Sequence, residues 1–493
     1  MKKKVIVIGA GLGGLAASAL LAGKGYRVTV LEKNKEPGGK MNRVSEKGYR
    51  FDTGPSLLTM PDIIDSLFEA CGKKREDYLT FLPVSPLCRY FFADKTVFDN
   101  YSDPKKNAGE LLKIAPDELD NYHSFLSYAS DLYDKTSGAF LNNPLYDTSD
   151  LKQLNFPDFF GIDAFSTVAS RVDSVFGSPY LRQFFKRFTT YNGSSPFQAP
   201  ATLNVIPHVE INMGGYYVKG GLYSIAKALE KLARELHVEF QFEKEVREIS
   251  CTANRAEAVI LSDGSELKAD IIVSNSDASE TLLKLLPKEA VPRRKRVKQK
   301  KLEPSCSGFV LLLGISKKYD SLAHHNIFFS SDYRREFNSI FNEKKLPGDP
   351  TIYIANTSHS DPDHAPEGHS NLFILVNAPY LTEDQNWEAQ SRKYPEIIIS
   401  KLENSGLDGL RNSVEFSKII TPEDFYKRYR SNRGSIYGTS SNSKFSAFSR
   451  PKNKTSFIDG LYLTGGSTHP GGGIPLVLLS AFHAVTLVQR YEK

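Results

Sequence analysis

Gly9-Ala10-Gly11-Leu12-Gly13-Gly14 lies between a β-branched run and an Ala/Leu-rich run, and that setting constrains the fold more than any other stretch of the chain. Residues 4 to 8 (Lys-Val-Ile-Val-Ile) read as a buried parallel strand. Leu15 to Lys24 reads as a helix and Arg27 to Glu32 as a second strand, which together make one βαβ unit. In that context the GxGxxG spacing has a physical meaning. Gly9 allows the tight turn, Gly11 lets backbone amides approach a pyrophosphate at the helix N-terminus, and Gly14 lets helix and strand pack closely. Glu32, at the end of the second strand, is placed to bind ribose hydroxyls. Its charge argues against a 2′-phosphate. It suits FAD and NAD alike.

The 493 residues are too many for one simple core. Residues 61 to 200 read as mostly helical, with aromatic anchors. Leu222 to Leu236 is an amphipathic helix, because Leu222, Ile225, Ala226, Leu229, Leu232, Ala233 and Leu236 share one face. Strands are expected at Val238–Phe242, Glu245–Ile249 and Ala256–Leu261. A hairpin turn at Ser262-Asp263-Gly264-Ser265 should lead into a returning strand, Ala269–Ser274. Phe309–Gly314, Thr351–Ala355 and Leu372–Asn377 are strand candidates for a separate sheet. Gly460–Thr464 is the last strand, followed by a Gly/Pro loop and a closing helix from about Pro475. Dinucleotide-type elements thus recur at the start, near 205–280 and at the end, with other material inserted between them.

Two uncharged stretches imitate membrane spans. Val5–Gly23 is interrupted by the glycine turn, and Leu461–Gln489 by Gly465, Gly466, Pro470, Gly471 to Gly473 and Pro475. Neither is expected to span a membrane, and no targeting peptide is expected. Cys71, Cys88, Cys251 and Cys306 form no CxxC pair and show no zinc-site spacing, so no metal site is expected. So few cysteines suit a reducing, cytoplasmic setting. The net charge of +6 is mild, and no basic block is interleaved with aromatics, so no nucleic acid is expected. One basic run stands apart: Arg293, Arg294, Lys295, Arg296, Lys298, Lys300 and Lys301. It reads either as a solvated helix face or as a surface attracted to anionic lipid. The 31 Phe and 24 Tyr suit either aromatic core packing or a long apolar ligand.

Glu36-Pro37-Gly38-Gly39-Lys40 follows the acidic strand and could supply amides and charge to a diphosphate. Gly48 to Pro55 has strand-then-turn character. Gly465-Gly466-Ser467-Thr468-His469-Pro470-Gly471-Gly472-Gly473-Ile474-Pro475 opens the last helix. It offers a second glycine-rich helix N-terminus to an anion or to the electron-rich edge of a flavin. His469 in that loop fits a structural or flavin-contact role.

These motifs together resemble the bacterial phytoene desaturase family of FAD-dependent carotenoid desaturases, within the wider amine-oxidase-like flavoproteins. Tyr180-Leu181-Arg182-Gln183, Asn192 to Phe197, Gly214 to Gly221, Val273-Ser274-Asn275-Ser276-Asp277, Leu322 to Asn326 and Ala365 to Gly368 extend the resemblance over essentially the whole chain. Tyr217-Val218 departs from the usual Phe-Pro. Arg433 to Gly438 and Ala447-Phe448-Ser449-Arg450-Pro451 look more like the branch of hydroxycarotenoid 3,4-desaturases and diaponeurosporene oxygenases, with a lean to the first.

The resemblance implies an α/β fold: a discontinuous Rossmann-like FAD-binding domain (1–70, 201–285 and 421–493) and a mixed α+β substrate domain with a helical cap (71–200 and 286–420). It implies FAD contacts from Gly9, Gly11, Gly14, Glu32, Lys33, Gly38, Gly39, Lys40, Gly54, Pro55, Val246, Gly466, Gly473, Ile474 and Pro475. It implies desaturation of an acyclic, 1′-hydroxylated carotenoid by hydride transfer to flavin N5, with quinone or oxygen as the electron acceptor. A long apolar polyene substrate and peripheral association with the inner face of the cell membrane follow from it. Arg182 is the pocket residue the match supplies. Gly177-Ser178-Pro179 lacks the acid some relatives carry, so the proton acceptor stays open. Phytoene or diapophytoene desaturation and diaponeurosporene oxygenation are alternatives. Outside the class stand a flavin amine oxidase, a non-catalytic carotenoid-binding flavoprotein and an NAD-dependent dehydrogenase.

Overall fold

The computed structural model describes residues 2–147, 150, 162–443 and 449–492. Ala447 and Phe448 of the branch motif lie outside the described residues.

The β-branched run Lys4–Ile8 is the central strand of a five-stranded sheet in the order Leu461–Leu463, Ile271–Ser274, Lys4–Ile8, Arg27–Glu32, Glu239–Phe242. Every pairing in it is parallel. Strands covered on both faces need no polar alternation, and Val5 to Ile8 are buried without a break. The helix Leu12–Gly23 is buried from Leu12 through Leu21 because the helices Tyr223–Glu235 and Ile474–Tyr491 pack beside it. A helix apolar all round is what such a position requires, and this is why Val5–Gly23 imitates a membrane span. The helix Ile474–Tyr491 is long and apolar enough to cross a membrane. Most of it is buried here, with Leu478, Ala481, Val485 and Val488 in the same core as Leu15 and Leu20.

A second, seven-stranded sheet has the order Val414–Ile420, Ser307–Ile315, Ser370–Ala378, Ile352–Ala355, His325–Phe328, Cys88–Phe91, Val97–Asn100. Ser307–Ile315 is buried at every residue. Side chains alternate across the sheet. Phe309, Leu311, Leu313 and Ile315 join a core with Trp387, Tyr394 and Ile398 of the helix Trp387–Asn404. Val310 and Leu312 face the other way, toward Tyr49, Phe51 and Phe416. Over one end lies a helical layer whose core is aromatic: Phe125, Phe176, Phe184, Phe185 and Phe188 pack ring against ring. For these rings, core packing is the role the structure assigns.

Three expectations need correction. The described part of residues 61–200 is mostly helical, as expected, but the strands Phe81–Pro83, Cys88–Phe91 and Val97–Asn100 interrupt it. Cys88–Phe91 is short and carries Arg89 in its middle. It is held by parallel pairing to His325–Phe328, far along the chain, which no local pattern announces. His325–Phe328 and Val414–Ile420 were likewise not among the expected strands. The return from the Ser262–Ser265 turn is also two elements rather than one. Glu266–Lys268 completes the hairpin against Ala258–Ile260, and Ile271–Ser274 then leaves for the parallel sheet.

Candidate functional site

The carboxyl ends of the first two parallel strands and the glycine turn between them open on one cavity of about 460 Å³, a size common to small-molecule sites. Its near part is a cradle. A Cβ on Gly14 would stand 2.0 Å from the Gly9 carbonyl oxygen, so only glycine allows the helix to start so close to the strand. Gly14 therefore acts through packing and does not line the cavity; Gly9, Gly11 and Gly13 do. The helix Leu12–Gly23 has no side-chain cap and no acid in its first turn. Its first N–H groups and the positive end of its dipole stay available to an anion.

Glu32 is buried and already braced. One carboxylate oxygen accepts from the Ala10 N–H at 2.8 Å, the other from the Asn34 N–H at 2.8 Å and from Asn34 Nδ2 at 2.7 Å. Each carboxylate oxygen can accept more than one hydrogen bond, so capacity for ribose hydroxyls remains. The Gly38-Gly39 turn stacks on the first glycine turn. The Gly38 N–H donates to the Ala10 carbonyl at 2.8 Å, so this amide holds the two turns together and is not free for a diphosphate. Lys40 Nζ donates to the Ser435 and Ile436 carbonyls, both at 3.0 Å. Burial lowers its pKa to about 8, only partly opposed by Asp277. Lys33 Nζ donates to the Lys427 carbonyl at 2.9 Å. Its pKa is lowered by burial and by Arg430.

The other expected contacts converge on the same cavity: Gly54, Pro55, Val246, Gly466, Gly473, Ile474 and Pro475 all line it. Gly473 caps the helix Ile474–Tyr491 at φ 110°, a left-handed angle that favours glycine, and Pro475 occupies the first turn. This second helix N-terminus also lacks a side-chain cap and an early acid. His469 is elsewhere. Its Nε2 meets the Asn143 carbonyl at 2.8 Å, its ring lies against Phe140 and His483, and burial holds its pKa near 3. This is a structural role, and His469 does not line the cavity.

Arg182 does not reach the cavity either. It sits on the helix Pro179–Lys186, where its guanidinium donates to the Phe176 carbonyl and pairs with Asp173 at 3.6 Å. The charged residue of this segment that does line the cavity is Arg187, five positions further on. Its Nη2 donates to both carboxylate oxygens of Glu210, at 2.7 and 3.0 Å, and to Tyr90 Oη. Tyr191 Oη and Asn100 Nδ2 also donate to Glu210. Sequence reasoning passed over Arg187 because no local pattern pairs it with Glu210, and Tyr90 lies far from it along the chain. The one available signal was an arginine in an otherwise aromatic, helix-forming stretch. A second unforeseen group is the string Ser56–Tyr353–His325, in which Tyr353 Oη meets Ser56 Oγ on one side and His325 Nδ1 at 2.7 Å on the other. Burial, with His324 and Arg187 nearby, holds the His325 imidazole well below its usual pKa, so it is neutral. Between these polar groups the walls are apolar: Val310, Ile327, Phe373, Leu375 and Ile436.

Asn275 and Asp277, seen in the sequence only through resemblance, have definite work. Asn275 fills the space beside Gly9, Gly11, Gly13 and Gly465. Asp277 caps Ala278–Glu280 and accepts from the Asn432 N–H at 3.2 Å. Asp52, within the Phe51–Pro55 segment, accepts from the Leu222 N–H at 2.6 Å at the start of the helix Tyr223–Glu235; burial raises its pKa to about 6.

The residues present fit a dinucleotide. The cradle offers two uncapped helix N-termini, an acid at the strand end and the half-buried cation Lys40, and Thr53 Oγ1 on its wall is buried without a hydrogen-bond partner among the described residues.

The comparisons agree. Residues 12–489 match the family described as flavin containing amine oxidoreductase. A 4,4'-diapolycopene oxygenase of a Methylomonas species is 40% identical over 97% of this chain and 96% of its own length. A 4,4'-diaponeurosporene oxygenase of Staphylococcus haemolyticus is 38% identical over 100% of this chain and 98% of its own. The crystal structure of an oxidoreductase from Methanosarcina mazei superposes with a TM-score of 0.66 at 17% identity, covering 98% of this chain and 100% of that one, and bears on the fold alone. The chain belongs to the flavin containing amine oxidoreductase family, and its cofactor is FAD.

Proposed function

From that membership we infer an FAD-dependent oxidoreductase acting on carotenoids. We propose that it desaturates an acyclic, 1′-hydroxylated carotenoid at C-3,4. The observation that carries this reading is the single cavity, which runs from a dinucleotide cradle into an apolar chamber. The names of the two relatives support the substrate class. Bound FAD supplies a two-electron acceptor that can take a hydride at N5.

Gly9, Gly11, Glu32, Lys33, Gly39, Lys40, Gly54, Pro55, Val246, Gly466, Gly473, Ile474 and Pro475 would hold the cofactor, with Gly14 and Gly38 shaping the turns. Lys40 would gain an anionic partner in the diphosphate, which would lift its lowered pKa. Val310, Ile327, Phe373, Leu375 and Ile436 would hold the extended polyene and exclude water, so that its C–C bond stays aligned. Residues 1–70, 201–285 and 421–493 form the cofactor-holding part in this reading, and 71–200 and 286–420 the substrate-holding part.

We also propose peripheral association with the inner face of the cell membrane, where an apolar polyene resides. The helix Arg293–Lys301, on which only Gln299 is buried, is the surface that supports it. Oxygen or a quinone would then reoxidise the flavin.

The test is anaerobic incubation of the lipid-supplemented holoenzyme with a 1′-hydroxylated carotenoid and, separately, with phytoene. Flavin bleaching and a red-shifted polyene with the first alone supports 3,4-desaturation. Bleaching with phytoene overturns the branch and keeps desaturation. Bleaching with neither overturns the reading. The relatives' names favour a second reading, oxygenation of a diaponeurosporene-type carotenoid. It predicts an oxygen-bearing product in the presence of oxygen and no new C-3,4 double bond.

A further inference from the structure

Three closely packed polar atoms, on residues that line the cavity, have hydrogen-bonding capacity that the described residues leave unused. Arg187 Nε, His325 Nε2 and Tyr333 Oη are each buried and without a partner among the described residues. All three residues line the cavity. They come from three separate elements: the turn Arg187–Asn192, the strand His325–Phe328 and the helix Tyr333–Asn338. The Arg187 charge acts on both His325 and Tyr333, so the three share one electrostatic neighbourhood.

The rest of each side chain is fixed. Glu210 holds the Arg187 fork, Tyr353 Oη holds His325 Nδ1, and Phe329 and Phe337 pack edge-on against the Tyr333 ring. An unmet buried polar group is costly, and three on the walls of one cavity call for an occupant. A pure hydrocarbon would leave all three unmet. Guanidinium N–H and phenol O–H groups donate, so the fitting occupant presents an oxygen acceptor. Glu210 already balances the Arg187 charge at 2.7 Å. A neutral oxygen therefore fits better than a carboxylate.

We propose that Arg187, His325 and Tyr333 form an end-group pocket that binds the neutral oxygen of the polyene and sets the choice between oxygenated and hydrocarbon substrates. This rests on the carotenoid reading above and adds the residues that discriminate.

The experiment titrates flavin-loaded protein with a 1′-hydroxylated acyclic carotenoid and with its deoxy analogue. It reads Kd from the shift of the polyene spectrum and, separately, flavin reduction. Wild type should bind the hydroxylated polyene at least ~100-fold more tightly, because a site built for a hydroxyl rejects its absence. Tyr333→Phe removes one oxygen and should cut that ratio about 3- to 10-fold. The double variant Arg187→Met/Glu210→Leu, which leaves no unpaired charge, should cut it further, through the Kd of the hydroxylated polyene. If Tyr333→Phe fails to retain flavin, the double variant decides. A wild-type ratio near one, or an unchanged ratio in the variants, overturns the pocket and leaves it a site for ordered water. Flavin that neither polyene reduces, with the binding ratio intact, overturns the desaturase reading and keeps the pocket.

Discussion

The first wall of the cradle is one local unit: Gly9, Gly14 and Glu32 come from one βαβ unit, and Ala10 ties Glu32 to the Gly38 turn. The chamber has no such unit and is assembled from separate stretches. Arg187 meets Glu210 and Tyr90, and His325 meets Tyr353, which meets Ser56. The cradle is made of backbone shape and cannot tolerate added atoms. The chamber is made of side chains and cannot tolerate an unpaired buried charge. On the reading proposed above, one region would fix where the cofactor lies, and the other would be free to vary with the substrate.

The sharpest way to break this comparison is to add one side chain to the cradle. Gly14→Val places a Cβ where only 2.0 Å separates it from the Gly9 oxygen, a backbone atom that cannot yield. Overpacking costs of roughly 1–3 kcal/mol assume neighbours that can shift; here the expected loss is larger. Flavin content should fall below about a tenth of wild type, read from the flavin absorption of purified protein, with a lower Tm. Retention of flavin would show that the helix can slide away from the strand.

The chamber should fail by charge rather than by volume. Arg187→Met alone strands a buried Glu210 carboxylate and should cost about 3–5 kcal/mol in denaturant unfolding. The double variant Arg187→Met/Glu210→Leu should recover most of that, because a matched apolar pair replaces a matched ionic one. If the single and double variants lose equally, Arg187 contributes packing over Phe188 and Tyr191 more than pairing.

Legibility in the sequence followed the same division. The parallel strands, the Leu222–Leu236 helix and the cradle residues could be read because period, turn chemistry and glycine spacing are local signals. Lys40 and Glu32 were found as residues but not in their bonding. That Gly38 N–H joins two turns, and that Lys40 rests on the Ser435 and Ile436 carbonyls, depends on chain far away. The strands Cys88–Phe91 and His325–Phe328 were missed for a related reason. They are four residues each and acquire their regularity from pairing with one another. Arg187 was passed over for Arg182, five positions earlier on the same aromatic segment, since sequence cannot say which arginine points inward.

Lys40 gives a smaller and more graded test of the cradle. Its folded pKa is about 8 against an ordinary 10.5, so between these values the unfolded chain holds more protons than the folded one. Stability of flavin-free protein should therefore rise with pH from about 8 to about 10.5, by up to roughly 3 kcal/mol, and be flat in this respect below pH 8. Lys40→Met should abolish the rise. A diphosphate beside the ammonium would raise the folded pKa, so FAD-loaded protein should show a weaker slope. Denaturant midpoints at a series of pH values, with and without FAD, measure it. Equal slopes in both forms would place the diphosphate away from Lys40.

The smallest expected effect is also the one that discriminates between the two arginines. Arg182 is 40% exposed, pairs with a similarly exposed Asp173 at 3.6 Å, and donates to the carbonyl that ends the neighbouring helix. Exposed pairs contribute about 0–1 kcal/mol, and one hydrogen bond to a free carbonyl adds little more. Arg182→Ala should therefore shift Tm by a few degrees at most, and kcat and KM for a carotenoid substrate should stay within about twofold of wild type. A loss of kcat in protein with full flavin would mean that the reacting segment of the polyene runs along the helix Pro179–Lys186 instead of through the chamber. The groups around Arg187 would then be structural, and the division between cradle and chamber would be drawn in the wrong place.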